Sequence, residues 1–537
     1  MTAFDYIVVG AGSAGCVLAD RLSRDGRYSV AVIEAGGSDR RVWIKLPIGY
    51  GRTFFDERVN WKFETEPDPG IGGRRSYWPR GKVVGGSSSI NALVYCRGLP
   101  QDFDDWATAG ATGWGWDDVK PHFDRLEQRL DCDGRASGDG PMRIRDVSDR
   151  VHPINRHFLS AARELGLPVS EDFNGPAPEG VGYYHITTHG GMRCSAADAF
   201  LRPALRRSNI TLFTHTQVKK LLFEGERASG VRVARRDGTV QDLTVRAEVI
   251  LSAGAIGSPQ ILQVSGIGPG EVLQKQGIAV RRESPNVGRN LQDHLAVSYL
   301  YKATERTLNN DLAGPLGKLR AGLRYVLNRR GPLSLSVNQC GGFLRSHPEA
   351  RHIDLQLYFT PATYTTAPTG KRPIINPDPF PGFLISFQPS RPESRGAVAL
   401  AAPDAAVPPR ITPNYLTAQK DLNDVVRGGR LLQDFARTSS LQGLIQSPIE
   451  PDLLTLDEEG LVADFRARSD TVYHPVSTCR MGRDITSSVV DADLRVHGVE
   501  GLRVVDASVF PNITSGNTNA PTLMVADRAA DAILAGR

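Results

Sequence analysis

FDYIVVGAGSAG, residues 4 to 15, is an apolar run rich in branched side chains that meets three glycines, Gly10, Gly12 and Gly15. The run reads as a buried strand and the glycines as the tight turn that ends it. Ala14, Val17, Leu18 and Leu22 then recur at helical spacing, so the turn opens straight into an amphipathic helix. A second strand, Ser29 to Ile33, ends at Glu34, which lies 19 residues beyond Gly15. That spacing puts a carboxylate where the ribose hydroxyls of an adenine dinucleotide would sit. Each glycine has its own task. Gly10 permits the turn, Gly12 lets the backbone approach a pyrophosphate, and Gly15 lets helix and strand pack closely, while the helix N-terminus offers partial positive charge to the phosphates. The unit predicts dinucleotide binding without choosing between NAD and FAD, which share the adenosine diphosphate half.

The rest of the chain is long enough for a second domain, since 537 residues exceed what one core usually organises. With 40% hydrophobic and 23% charged residues, and no apolar run of membrane-spanning length, an integral membrane protein is not expected. A net charge of +5 from 64 basic and 59 acidic residues is too thin an excess for nucleic-acid binding. The N-terminus lacks the basic segment, long apolar stretch and small-residue cleavage site of a secretory signal, so a cytoplasmic location is expected. Cys16, Cys96, Cys132, Cys194, Cys340 and Cys479 show no CxxC spacing, which argues against a zinc site or a disulfide framework, and no metal is expected.

Three further segments bear on the cofactor. GKVVGGSSSIN, residues 81 to 91, offers backbone and hydroxyl donors beside a phosphate or a flavin ring. VILSAGAIGSPQILQVSGIG, residues 249 to 268, is a buried-type strand, a turn at Ser252 to Gly254, and a helix. GLRVVDASVFPNITSGNTNAP, residues 501 to 521, is preceded by His474 in HPVSTCRMG. Together these segments resemble the glucose-methanol-choline oxidoreductases, and in particular their choline-dehydrogenase-like, FAD-dependent alcohol dehydrogenase branch. The resemblance runs nearly end to end.

It implies an α/β fold with a Rossmann-like FAD-binding domain and a substrate-binding domain built on a largely antiparallel sheet. The expected division is 1–150, 191–296 and 471–537 for FAD, and 151–190 and 297–470 for the substrate. It also implies that FAD is held by Gly10, Gly12, Ser13, Ala14, Gly15, Glu34 and Ala35 at the first turn, and by Val83, Gly86, Ser87, Asn91, Ala92, Leu93 and Val94 in the second segment. Val218, Ala253, Asp506, Ala507, Thr518 and Asn519 complete that set. Some members bind the flavin covalently through a histidine where this chain has Ile90, so FAD is expected to be non-covalent.

The implied reaction oxidises an alcohol to its aldehyde or ketone. His474 takes the hydroxyl proton and a hydride passes to flavin N5. A histidine suits this task because its unperturbed pKa, about 6.5, leaves it largely neutral near physiological pH. Asn517 stands at the partner position; its amide can donate to an oxygen as negative charge develops, with Asn519 its rival for register. We expect His185, His189, His215, His294, His352 and His497 to be surface or structural. Rival readings are choline dehydrogenase proper, a hydroxynitrile lyase of the same fold, or an electron-transfer module.

On the substrate side, alternation at 353–360, 383–387 and 397–400 predicts antiparallel strands that roof the flavin. The stretch 360–382, rich in proline and polar residues, is a candidate lid or a passive loop. The electron acceptor is left open between oxygen, a quinone and another carrier, and the oligomeric state is undetermined. LGKLRAGLRYVLNRR, residues 316 to 330, places Leu316, Leu319, Leu323, Val326 and Leu327 on one helical stripe, with Lys318, Arg320, Arg324 and Arg329 outside it. We read the stripe as packed against the substrate domain and the arginines as its solvated face. Docking on an anionic membrane is the alternative.

Overall fold

A computed structural model of the chain describes residues 3–364 and 377–536. The strand Ala3–Val9 sits at the centre of a seven-stranded sheet, flanked in parallel by Val30–Ile33 and by the second half of Val240–Leu251. Ile210–Phe213 extends the parallel row on one side and Leu502–Val504 on the other. The first half of Val240–Leu251 pairs instead with Arg227–Arg235, which pairs with Thr216–Glu224, both antiparallel. Val30–Ile33 is buried throughout, as strands covered on both faces must be.

The carboxyl ends of the five parallel strands all point at one crevice, the place where an open α/β sheet takes its ligand. The helix Ser13–Ser23 leaves the first strand there and packs on the C-terminal helix Asn519–Leu534, so the two ends of the described chain close over the same crevice.

A second seven-stranded sheet is antiparallel throughout, in the order Ile445–Ile449, Leu295–Ala303, Gly382–Pro389, Leu355–Thr360, Cys340–Leu344, Gly180–Tyr183, with Asp470–Thr471 also against Leu295–Ala303. Its two faces divide by residue parity. Leu357, Phe359, Phe383, Ile385 and Phe387 face the helices Arg156–Glu164, Gln419–Arg437 and Glu458–Arg468. Phe158 stacks between Phe359 and Phe435 at 5.3 and 4.8 Å, which anchors that layer. Ser298, Leu300, Tyr358, Thr360, Leu384 and Ser386, each one position out of phase, face the crevice instead.

Two expectations need correction. The segment 397–400 does not join this sheet. Ala397–Ala399 forms a two-stranded ribbon with Arg410–Thr412, and Val398 N bonds Gly288 O at 2.7 Å, so its backbone groups are paired away from the roof. The helix at 316–330, observed as Gly314–Asn328, buries Ala321 and Tyr325 rather than its leucine stripe. The candidate lid falls mainly on 365–376, outside the described residues.

Candidate active site

The crevice between the two sheets is a cavity of about 1260 Å³. Its nucleotide end is built from the strand-to-helix turns. Gly10 has φ +105°, and a Cβ on Gly15 would collide with the Gly10 carbonyl oxygen, so both positions require glycine. A Cβ on Gly12 would meet no protein atom nearer than 3.9 Å. The space in front of Gly12 is therefore open cavity, where a pyrophosphate can lie against bare backbone. Glu34 accepts from Ala11 N at 3.0 Å and from Gly36 N at 2.8 Å, and burial pushes its carboxyl up to about 7.

The turns after Val240–Leu251 and Leu502–Val504 are tied together by Asp506, which accepts from Gly254 N, Ser258 Oγ and Ser508 N. Ser13 Oγ donates to Asn519 Oδ1 at 2.7 Å, joining the two helices at the phosphate end. Asn519 is thus engaged with Ser13, and Asn517 is the residue that reaches the other histidine-bearing wall.

Nearly every residue inferred from the sequence lines this cavity: Gly10, Gly12, Ser13, Ala14, Glu34, Ala35, Gly86, Ser87, Asn91, Ala92, Leu93, Val94, Val218, Ala253, Asp506, Ala507, Thr518 and Asn519, with His474 and Asn517. Gly15 lies behind the wall, in helix packing. Val83 is a correction: it pairs its backbone with Gly37 and is buried with Ile44, Val59 and Ile90. Pairing to Gly37 turns its side chain into the core.

At the far end His474 and Asn517 converge. Asp293 fixes the His474 backbone, accepting its N–H at 2.8 Å while also accepting from Thr471 and Tyr415 hydroxyls. The ring is oriented by His294, which sequence reading had set aside as surface or structural. His294 is fully buried, with Nε2 2.9 Å from the Ser390 carbonyl oxygen and Nδ1 3.0 Å from His474 Nδ1.

These contacts determine the tautomers. A carbonyl oxygen only accepts, so His294 Nε2 carries its proton. Burial pushes the His294 imidazole down to about 4, so the ring is neutral and its Nδ1 is an acceptor. His474 Nδ1 must then be the donor, which leaves His474 Nε2 bare. The Asn517 amide nitrogen, 3.1 Å from Nε2, donates to it. Burial, His294 and Arg80 hold the His474 imidazole well below the ordinary histidine value.

Sequence reading also missed Arg80 and Arg193. Arg80 lines the cavity and forms no salt bridge among the described residues; it donates to the carbonyls of Pro79 and Tyr473, and burial lowers it to about 10 against the pull of Asp293. Arg193 ties the 88–91 loop to Ile44 through the carbonyls of Ser88, Asn91 and Ile44 and the Asn91 side chain. Arg80 stands directly before GKVVGGSSSIN and could have been read with it; Arg193 is 102 to 149 residues from its partners and carried no local signal. Elsewhere, His122, Asp527 and Asp531 form a cluster of possible ligand atoms, but Arg21 and Arg125 already bind those carboxylates.

A two-part nucleotide fold whose cavity ends on a neutral imidazole and a carboxamide defines an oxidoreductase that uses a dinucleotide cofactor. Two models described as GMC oxidoreductase match residues 4–296 and 392–526, and the chain belongs to that family. It is 39% identical over 99% of its length to an oxygen-dependent choline dehydrogenase of Photobacterium profundum, of which 93% is covered. It is equally 39% identical over 99% of its length to an alcohol dehydrogenase [acceptor] of Pseudomonas putida, 96% of which is covered. Among solved structures it is similar to pyridoxine 4-oxidase from Mesorbium loti, with TM-score 0.86, 31% identity and 98% of each chain covered. A formate oxidase from Aspergillus oryzae superimposes with TM-score 0.91 at 25% identity, covering 100% of this chain and 99% of that one.

The cofactor is FAD, and the residues present fit it. Beyond the open space at Gly12, the side-chain oxygens of Ser252 and Asn517 are buried, line the cavity and find no hydrogen-bond partner among the described residues. Such orphaned acceptors and donors are costly unless a ligand satisfies them.

Proposed function

We propose that the protein oxidises an uncharged alcohol to the aldehyde or ketone with His474 as base and Asn517 as donor to the substrate oxygen. The observation that carries this reading is the bare Nε2 of His474, held unprotonated by His294 and faced by the Asn517 amide at 3.1 Å. A hydroxyl entering between them gives its proton to Nε2 and receives a hydrogen bond from Asn517 as the oxygen becomes negative. The turns after Ala3–Val9 and Val30–Ile33, with Glu34 at the ribose, would hold FAD, and Ser252 Oγ has a free bond to offer it. FAD, when bound, accepts the hydride lost by the carbinol carbon. The Arg80 guanidinium adds positive charge at this end, which opposes a protonated His474 and favours the negatively charged oxygen.

The substrate end is aromatic, with Phe54, Trp61, Tyr77 and Tyr358 among its walls; Arg468 there is paired with Asp464 and Arg75 with Glu66, while Arg80 places its charge beside the His474 imidazole. The Arg80 charge at the His474 end disfavours a quaternary ammonium group there, so choline, the substrate named for one relative, fits less well than an uncharged alcohol. This reading takes the enzyme to be cytoplasmic, with oxygen, a quinone or another carrier as the final acceptor.

Anaerobic mixing of the FAD-loaded protein with benzyl alcohol, medium-chain primary alcohols and choline tests the reading. The flavin absorbance should bleach with the uncharged alcohols and far more slowly with choline; an unchanged spectrum with every alcohol would remove the proposal. The same measurement has an expected pH dependence. His474 is shifted below the ordinary value, so its neutral, proton-accepting form persists to lower pH than that of a free histidine. The rate of bleaching should stay level from pH 8 down through about 6.5 and fall only below that. A fall centred at or above the unperturbed histidine value contradicts the assignment.

Ile90 lines the cavity and has no nucleophilic atom. Heat or acid precipitation is therefore expected to leave a colourless pellet and free FAD in the supernatant. A pellet that keeps its yellow colour would show a covalent link.

A further inference from the structure

The helix Gly314–Asn328 turns its apolar stripe outward. Leu316, Leu319, Leu323, Val326 and Leu327 are each 52 to 75% exposed, and they make up five of the thirteen large apolar side chains exposed among the described residues. Three more lie in the same neighbourhood. Met192 follows Gly191, whose carbonyl accepts from Tyr325 Oη at 3.1 Å, and the turn bearing Val42 and Trp43 touches the strand Met192–Arg193. An exposed apolar cluster of this kind marks a surface that meets something.

Charge selects the partner. Residues 314–330 hold five basic side chains, Lys318, Arg320, Arg324, Arg329 and Arg330, and no acidic one. All five are exposed alongside the stripe. A two-fold dimer through this face would set the same cations against each other, which is repulsive. Beyond the helix C-terminus, Arg145, Arg150, Arg329 and Arg330 line a cleft of about 210 Å³. Arg145 Nε is buried there without a partner. Apolar residues flanked by cations, with an arginine-lined cleft at one end, match a surface of acyl chains beneath anionic phosphates.

We propose that this face docks on a bilayer containing anionic phospholipid, with the leucines entering the acyl boundary and the arginine cleft taking a headgroup phosphate. No helix among the described residues is long and apolar enough to cross a membrane, so the contact is peripheral. Inward, Ala321 packs in a cluster with Tyr50, Leu93 and Val337, which line the cavity. Docking therefore sets one wall of the substrate cavity a single helix away from the lipid.

The test is co-sedimentation of the FAD-loaded protein with vesicles of phosphatidylcholine, with and without phosphatidylglycerol, at low and high salt. Most of the protein should pellet with the anionic vesicles at low salt and little with phosphatidylcholine alone. The double variant Leu319→Glu/Leu323→Glu should bind at least about tenfold more weakly while its FAD content and rate with a small alcohol stay unchanged. Arg320→Glu/Arg324→Glu should lose the preference for anionic lipid. Absence of pelleting, or pelleting that both double variants retain, overturns the proposal. So does a stable dimer in sedimentation velocity that the leucine variant dissociates, since a second copy would then own the face.

Discussion

His474→Ala is expected to slow flavin reduction by an alcohol about 10²- to 10⁴-fold, the worth of a positioned acid-base group, while FAD content and the oxidised flavin spectrum are unchanged. The side chain contributes no contact to the nucleotide turns, so only the proton acceptor is lost. Its backbone N–H still has Asp293 as a partner, at 2.8 Å, so the loop should hold its position. Near-normal reduction of the variant would end the mechanism proposed above. Asn517→Ala is expected to cost less, roughly 3 kcal/mol or below, since one donor to a developing alkoxide is removed while the base remains.

The second large effect is expected at His294, which acts through His474 as a positioning residue. His294→Leu takes away the acceptor of a buried N–H, and an unpaired buried donor costs about 1–3 kcal/mol. The His474 ring relieves that cost by moving its proton to Nε2 or by rotating, and either change covers the lone pair that the substrate needs. Reduction should fall roughly 10- to 10³-fold, as expected where a base loses the group that sets its tautomer. His294→Gln, whose carbonyl oxygen can accept the same bond, should recover much of the rate.

Rescue separates this role from a merely structural one. A packing role is met by the volume of leucine, whereas only an acceptor at the His294 position restores the bond to His474 Nδ1. If the leucine variant matches the unmutated protein in rate, His294 has only a packing function.

The nucleotide end was legible because its determinants are contiguous. Strand, glycine turn, helix and Glu34 lie within one stretch of chain, and what they specify is local backbone geometry that needs no distant partner. His474 and Asn517 were legible through the segments around them. Val83 shows the limit of that reading, because whether a residue in a glycine-rich segment faces the ligand or the core depends on what its backbone pairs with, here Gly37.

The sequence by itself determined the two-part architecture and the glycines of the phosphate turn, and it singled out His474 and Asn517, the pair proposed above to carry the chemistry. Only the tertiary structure decided which nitrogen of His474 is bare, because that depends on His294, 180 residues away, and on the Ser390 carbonyl behind it. Periodicity likewise placed five apolar residues on one face of the helix Gly314–Asn328 and led to the expectation that the face was covered. Their exposure shows otherwise, for a physical reason: spacing along a helix states which side chains share a face, and only the packing of the whole chain states what that face meets.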